Sequence, residues 1–76
     1  MGFEKRIIVD HRIMVGKPVI KGTRIPVDAI LQRMAKGMTT EDIMEEYPGL
    51  SKEDIKAALE YTTSLVRGED IIPNVK

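Results

Sequence analysis

The stretch GKPVIKGTRIPV, residues 16–27, constrains the fold more than any other part of the chain. Pro18 and Pro26 each fix φ and lack a backbone N–H, so the stretch can be neither the interior of a helix nor a central β-strand. Gly16 and Gly22 supply the backbone freedom that turns require. We therefore expect the first third of the chain to form short extended segments joined by turns.

Three short apolar runs mark these segments: Ile7–Val9, Ile13–Val15 and Val19-Ile20. They carry more apolar side chain than a solvated tail would, so they must pack either on the chain's own helices or on a second copy. The unpaired edges of short strands also invite pairing with another chain. We expect a homodimer that forms through this N-terminal arm. Its predicted interface residues are Ile7, Ile8, Val9, Val19 and Ile20.

From Pro26 onward the apolar residues follow a helical period. The first such stripe is Val27, Ile30, Leu31, Met34, Ala35 and Met38. It predicts a helix over about residues 27–36, with Pro26 in the first helical position, where its missing N–H has no partner to lose. Gly37 supplies the left-handed residue that ends this helix.

Two further helices are predicted downstream. The second covers about residues 40–46, with Thr39 or Thr40 as N-cap. The third runs to about residue 67, with Ser51 as N-cap and Asp54 reaching back to it. The apolar positions of the third helix are Ile55, Ala58, Leu59, Thr62, Leu65 and Val66. Its outward positions are Lys52, Glu53, Lys56, Ala57, Glu60, Tyr61, Thr63, Ser64 and Arg67.

These elements predict a mainly α-helical fold, in which a tri-helical helix-turn-helix unit carries an N-terminal arm of short β-strands. Residues 1–26 form the arm of a single domain, residues 27–68 the helix-turn-helix unit, and residues 69–76 a short C-terminal tail. A chain of 76 residues buries only about 60% of its unfolded surface. Association with another chain is therefore a ready source of further stability.

Composition excludes several classes of function. The chain has no cysteine and one histidine, His11, so it lacks disulfides and the usual metal ligands, and no metal or cofactor is expected. Its longest apolar run is three residues, far below the roughly 20 that a membrane span needs. No signal-peptide pattern is present. We expect a soluble cytoplasmic protein.

The glycine-rich stretch also fails as a nucleotide-binding loop. A Walker A loop places four residues between its glycines and Lys directly after the second, whereas here five residues intervene and Lys21 precedes the second glycine. Both serines, Ser51 and Ser64, belong to the third helix, the first as its N-cap, so neither is assigned as a nucleophile. His11 follows Asp10 directly, and adjacent residues of an extended segment point to opposite faces. No catalytic residue is assigned, and we expect a protein that is not an enzyme.

Charge divides the chain unevenly. Residues 1–24 carry six cations and two acids, whereas residues 25–76 carry six cations and ten acids. DNA affinity depends largely on neutralising phosphates, which the cations of the arm could do. The third helix would contribute little, because Glu53 and Glu60 offset its lysines. The predicted DNA-binding residues are Arg12, Lys17, Lys21, Arg24, Lys52 and Lys56. Two alternatives remain, namely charges that only solvate the surface and a protein–protein interaction module with no DNA role.

Over residues 7–66 the sequence resembles a family of small prokaryotic proteins, domain-of-unknown-function family 433. The motifs that carry the resemblance are Gly16-Lys17-Pro18, Gly22-Thr23-Arg24-Ile25-Pro26-Val27, Gly37, Tyr47-Pro48, Leu50, Glu53-Asp54-Ile55 and Ala58-Leu59. The resemblance implies a homeodomain-like helix-turn-helix fold. It also implies a VapB-type antitoxin that neutralises a PIN-like ribonuclease toxin and, as a dimer, represses its own operon by binding operator DNA. Many antitoxins wrap the toxin with a long C-terminal segment. Here toxin contact would use the folded domain or residues 69–76.

Overall fold

The computed structural model describes residues 5–10, 12 and 16–67. It contains two strands and three helices: β1 (Ile7–Val9), β2 (Pro18–Ile20), α1 (Val27–Ala35), α2 (Thr40–Glu46) and α3 (Lys52–Arg67). The predicted mainly α-helical class with short N-terminal strands is confirmed. Within the described part of the chain, no helix has the length and apolarity needed to cross a bilayer. The predictions for His11, for residues 13–15 and for residues 68–76 fall outside the described residues.

The two strands form an antiparallel sheet in the register Ile7↔Ile20, Ile8↔Val19 and Val9↔Pro18. Pro18 is tolerated because it begins an edge strand, where its missing N–H costs no ladder bond. A tight turn then leads from β2 towards α1. The Thr23 hydroxyl holds this turn, since it donates to the Ile20 carbonyl at 2.7 Å and accepts from the Ile25 N–H at 3.0 Å.

The helix ends follow the local chemistry that the sequence predicts. Thr39 caps α2, with reciprocal hydrogen bonds to Asp42 of 3.0 and 3.1 Å. Ser51 and Asp54 make the same pair of bonds at the start of α3, also at 3.0 and 3.1 Å. Gly37 follows α1 with φ +91°, a conformation that L-residues with side chains adopt at a cost. Pro26 stands one position earlier than predicted, because it is the N-cap residue of α1.

The core lies where the sheet and the three helices meet. Its buried members are Ile7, Ile20, Val27, Ile30, Ile43, Leu50, Ile55, Ala57 and Ala58. This placement corrects the predicted role of three arm residues: Ile7, Val19 and Ile20 are only 7%, 0% and 1% exposed within the single chain. They cannot also face a partner while the core is closed. The predicted dimer interface keeps only half-buried Ile8 and exposed Val9 at the surface.

The third helix differs from its predicted pattern at both ends. Ala57 is buried rather than outward, because β1 packs on α3 and covers that side of the helix. Leu65 and Val66, which the apolar stripe assigned to the core, are 53% and 77% exposed. At about 1.5 Å per residue, α3 is roughly 10 Å longer than α1. α1 is therefore too short to cover the whole apolar stripe of α3.

Candidate nucleic-acid interface

The structure distributes the six predicted DNA-binding residues over three structural elements, the turn after β2, α3 and the loop that joins the two strands. Lys21 and Arg24 are exposed in the turn between β2 and α1. Lys52 and Lys56 are exposed on the first turns of α3. The remaining two, Arg12 and Lys17, lie towards the opposite end of the hairpin. The register sets this separation, because Ile20 pairs near the start of β1 and Pro18 pairs with its last residue.

Arg12 and Lys17 each have a carboxylate of their own. The Arg12 guanidinium contacts both carboxylate oxygens of Asp10, at 3.2 Å through Nε and 3.1 Å through Nη2. The Arg12 backbone N–H also donates to Asp10 Oδ1, at 2.8 Å. These hydrogen bonds lower the pKa of Asp10 below its usual value of 3.8. Lys17 Nζ lies 3.3 Å from Asp28 Oδ2. A phosphate would have to compete with these carboxylates at both positions.

Arg33 is occupied in the same way, in the middle of the helical unit. Its Nε and Nη2 bind the two carboxylate oxygens of Glu46 at 3.0 and 2.9 Å, and the guanidinium carbon lies 5.1 Å from the centre of the Tyr47 ring. The ion pair lowers the pKa of Glu46 and raises that of Arg33. This bidentate contact joins α1 to α2 and takes Arg33 out of any phosphate contact.

Arg6 was not among the predicted DNA-binding residues, yet it lies next to Lys21. The Lys21 N–H donates to the Arg6 carbonyl at 2.7 Å, which extends the strand pairing by one step and sets the two cations side by side. Arg6 Nη1 also donates to Asp54 Oδ1 at 3.0 Å. The Arg6 side chain remains 44% exposed, whereas Asp54 is 13% exposed. Sequence reasoning counts Arg6 among the arm's charges, but the strand register that aligns it with Lys21 is not visible in sequence.

Lys56 completes this group from the helix side. It lines a shallow surface recess together with Arg6, Glu53, Ala57 and Glu60. Lys5 is exposed and precedes Arg6 in the chain, and Arg24 is exposed in the turn that follows Lys21. We call these five cations, contributed by the residues just before β1, by the turn after β2 and by α3, the basic corner: Lys5, Arg6, Lys21, Arg24 and Lys56.

The surroundings of the basic corner are of mixed charge on α3 and acidic on α2. Glu53 and Glu60 share the recess with Lys56, and Glu41 shares a second recess with Lys52. Residues 40–46 contain four acids and no cation. Since phosphates repel such a helix, an arrangement that lays α2 across a DNA backbone is disfavoured. The part of the basic corner best suited to bind phosphate is therefore the turn after β2, which carries Lys21 and Arg24.

No alternative chemistry is visible in the part of the chain that the structure describes. No group of three or more His, Asp or Glu side chains there is arranged to hold a metal ion. Every buried polar side-chain atom in the same residues has a hydrogen-bond partner. The described surface therefore offers charged contacts rather than a pocket of unsatisfied polar groups.

Comparison with known proteins places this fold in one family. The sequence model described as "Protein of unknown function (DUF433)" matches residues 7–62. In structure, the chain is similar to a DUF433 member protein from Anabaena variabilis, with a TM-score of 0.77 and 29% sequence identity. That similarity covers 82% of this chain and 61% of the Anabaena chain.

Two proteins that carry only the description "uncharacterized" are similar in sequence. A protein of Archaeoglobus fulgidus is 76% identical over 25 residues, which are 33% of this chain and 69% of that protein. Protein y4eO of Sinorhizobium fredii is 39% identical over 49 residues, which are 64% of this chain. This chain spans only 22% of the Sinorhizobium protein.

Proposed function

The chain belongs to the DUF433 family, and we propose that it is an antitoxin-like DNA-binding regulator that contacts the DNA backbone through its basic corner. The single observation that supports this proposal is the 2.7 Å bond between Lys21 N–H and the Arg6 carbonyl. It aligns cations from two segments that are distant in sequence. Lys56 adds a cation from α3 to the same region.

The chemistry of the basic corner suits phosphate. A guanidinium has five N–H donors, and the contact with Asp54 uses Nη1 of Arg6, so donors remain for a second anion. Lys21 and Arg24 are exposed on a turn, where a duplex can approach without moving a helix. Contacts of this kind fix the position of the protein on DNA, whereas base contacts give sequence preference. We therefore expect affinity to come mainly from the corner, with α3 adding little discrimination between sequences.

The proposal also includes a protein partner, a PIN-like ribonuclease toxin that the chain binds and neutralises, together with repression of its own operon. This part is supported by the resemblance to VapB-type antitoxins. It is also supported by the charge of α2, where Glu41 and Glu45 are exposed, while Asp42 pairs with Thr39 and Glu46 with Arg33. Exposed acids complement the positive surface with which a ribonuclease holds RNA. The chain itself is proposed to have no enzymatic activity.

A second candidate is a protein–protein interaction module with no DNA role. The observation that favours it is the mixed charge of α3, where Glu53 and Glu60 lie beside Lys56. A helix that reads DNA rarely carries acids on the face that enters the groove, because phosphates border that groove on both sides. The two candidates differ in whether the chain binds DNA at low salt.

The test is binding of the full chain to a duplex from upstream of its own gene, followed by fluorescence anisotropy at two salt concentrations. If all five corner cations contact phosphates, raising salt from about 50 to about 200 mM lowers the affinity about 500-fold. Lys21→Ala combined with Arg24→Ala should weaken the low-salt complex, whereas Arg12→Ala combined with Lys17→Ala is the matched control and should not. Absence of binding at the lower salt would favour the interaction module.

A further inference from the structure

A second surface, at the other end of α3, is apolar and has no covering element within the described chain. This surface contains a recess of about 200 Å³. Its apolar lining side chains are Pro18, Val27, Leu31, Tyr61 and Leu65. Leu65 forms one wall and is 53% exposed, and Val66 beside it is 77% exposed. Together with the recess, these two exposed aliphatic side chains form one continuous apolar surface, the kind of surface on which a partner chain can pack.

The charges at the rim of this recess indicate what can cover it. Lys17 and Asp28 line it and form an ion pair of 3.3 Å, so the rim carries one charge of each sign. The basic corner and α2 are different, because each presents an excess of one sign. In a two-fold dimer the same patch meets itself, so pairing through the corner or through α2 brings like charges together. Self-pairing through the recess avoids that repulsion, because its rim carries one charge of each sign.

The same patch combines exposed side chains with a hollow. A two-fold interface needs a patch that is complementary to itself. Leu65 and Val66 are the exposed side chains, and the space between α1 and α3 is the hollow. The basic corner involves residues 53–60 of α3 and the recess involves residues 61–65. A dimer formed here leaves both basic corners open.

We propose that this recess is a homodimer interface, in which Leu65 and Val66 of each copy seat between α1 and α3 of the other. The interface replaces the one predicted through the arm, whose residues Ile7, Val19 and Ile20 are occupied in the chain's own core. The inference does not depend on DNA binding, since none of the basic-corner residues lines the recess.

Sedimentation equilibrium on the full chain, from low micromolar to submillimolar concentration, tests this interface. The wild type should dimerise. Leu65→Glu should raise the dissociation constant at least about 100-fold, because each dimer then buries two unpaired carboxylates. Val66→Glu should also raise the dissociation constant. Because the Val66 side chain is 77% exposed in the monomer, this substitution should not affect folding. Circular dichroism of both variants checks that the helices are intact.

Two control variants distinguish this interface from others. Leu59→Glu changes the same residue type on the same helix, at a position that is 38% exposed and outside the recess. Val9→Glu changes the most exposed side chain of the predicted arm interface, which is 53% exposed. Both should leave dimerisation unchanged. A wild type that stays monomeric throughout, or a dimer weakened by either control and not by Leu65→Glu, would overturn the proposal.

Discussion

The two ends of the β-hairpin both carry cations but leave them in different states. At one end, Arg12 and Lys17 each contact a carboxylate close by, Asp10 and Asp28. At the other, Lys21 lies beside Arg6, whose one carboxylate partner is nearly buried and belongs to α3. The difference shows that the count of cations in the arm overstates what is available to a phosphate. Pairing and strand register decide which cations remain available.

Asp54 fixes the basic corner to α3 through a partly buried contact, whereas the opposite end of the hairpin contacts α1 through the exposed ion pair of Lys17 and Asp28. One oxygen of Asp54 accepts from Arg6 Nη1 and the other accepts from the Ser51 N–H, both at 3.0 Å. Asp54→Ala should therefore lower the free energy of unfolding by about 2 kcal/mol, from a lost cap and a lost charged hydrogen bond. Urea unfolding monitored by circular dichroism measures this.

Ser51→Ala is the matched control for the Asp54 variant. It removes only the Ser51 hydroxyl's bond to the Asp54 N–H, of 3.1 Å, and should cost about 1 kcal/mol. The difference between the two variants reports the contact with Arg6 together with the bond from the Ser51 N–H to the Asp54 carboxylate. Equal losses of stability in the two variants would mean that the ion pair does not anchor the corner.

The turn that presents Lys21 and Arg24 depends on Gly22, whose φ is +83°. A Cβ at this position would meet no atom within 4 Å, so the cost of Gly22→Ala comes from backbone conformation alone. We expect a loss of about 1 kcal/mol in stability and weaker DNA binding as the turn shifts. Gly37→Ala has a similar φ of +91° and similar open space, so it should cost as much stability without affecting DNA binding. Thermal unfolding and anisotropy of both variants separate the two effects.

The smallest expected effect concerns pH at the paired end of the hairpin. Arg12 lowers the folded-state pKa of Asp10 below 3.8, so this contact is fully present above that pH. It is lost as the pH falls through the lowered folded-state value. An NMR titration of the Asp10 carboxyl should show a midpoint below 3.8, and Arg12→Gln should raise that midpoint. An unchanged midpoint in the variant would mean that Arg12 is not bound to Asp10 in solution.

The features predicted correctly from sequence are those set by neighbouring residues. The caps at Thr39 and Ser51 need only a hydroxyl and an acid three residues apart, and Gly37 acts within its own turn. The features that were not predicted from sequence depend on residues that are far apart in the chain. Ala57 is buried because β1 covers it, and Arg6 lies beside Lys21 because of the strand register. No local pattern records either fact.

The apolar stripe of α3 shows that residue spacing can also predict burial for side chains that are exposed in the structure. Its spacing places Leu65 and Val66 on the helix face that packs inside, and the first half of that face does so at Ile55 and Ala58. Periodicity gives the direction of a side chain but not the length of the helix that covers it. Because α1 has nine residues and α3 sixteen, the end of the stripe is left at the surface.

The salt dependence of DNA affinity for two double variants tests whether the basic corner binds the DNA backbone. For the wild type, five phosphate contacts predict a slope of about −4.5 in log affinity against log salt concentration. Lys21→Gln combined with Arg24→Gln should make the slope less steep by about 2. Arg12→Gln combined with Lys17→Gln should leave it unchanged. Equal changes in both variants, or the larger change in the second, would contradict the assignment of DNA binding to the basic corner.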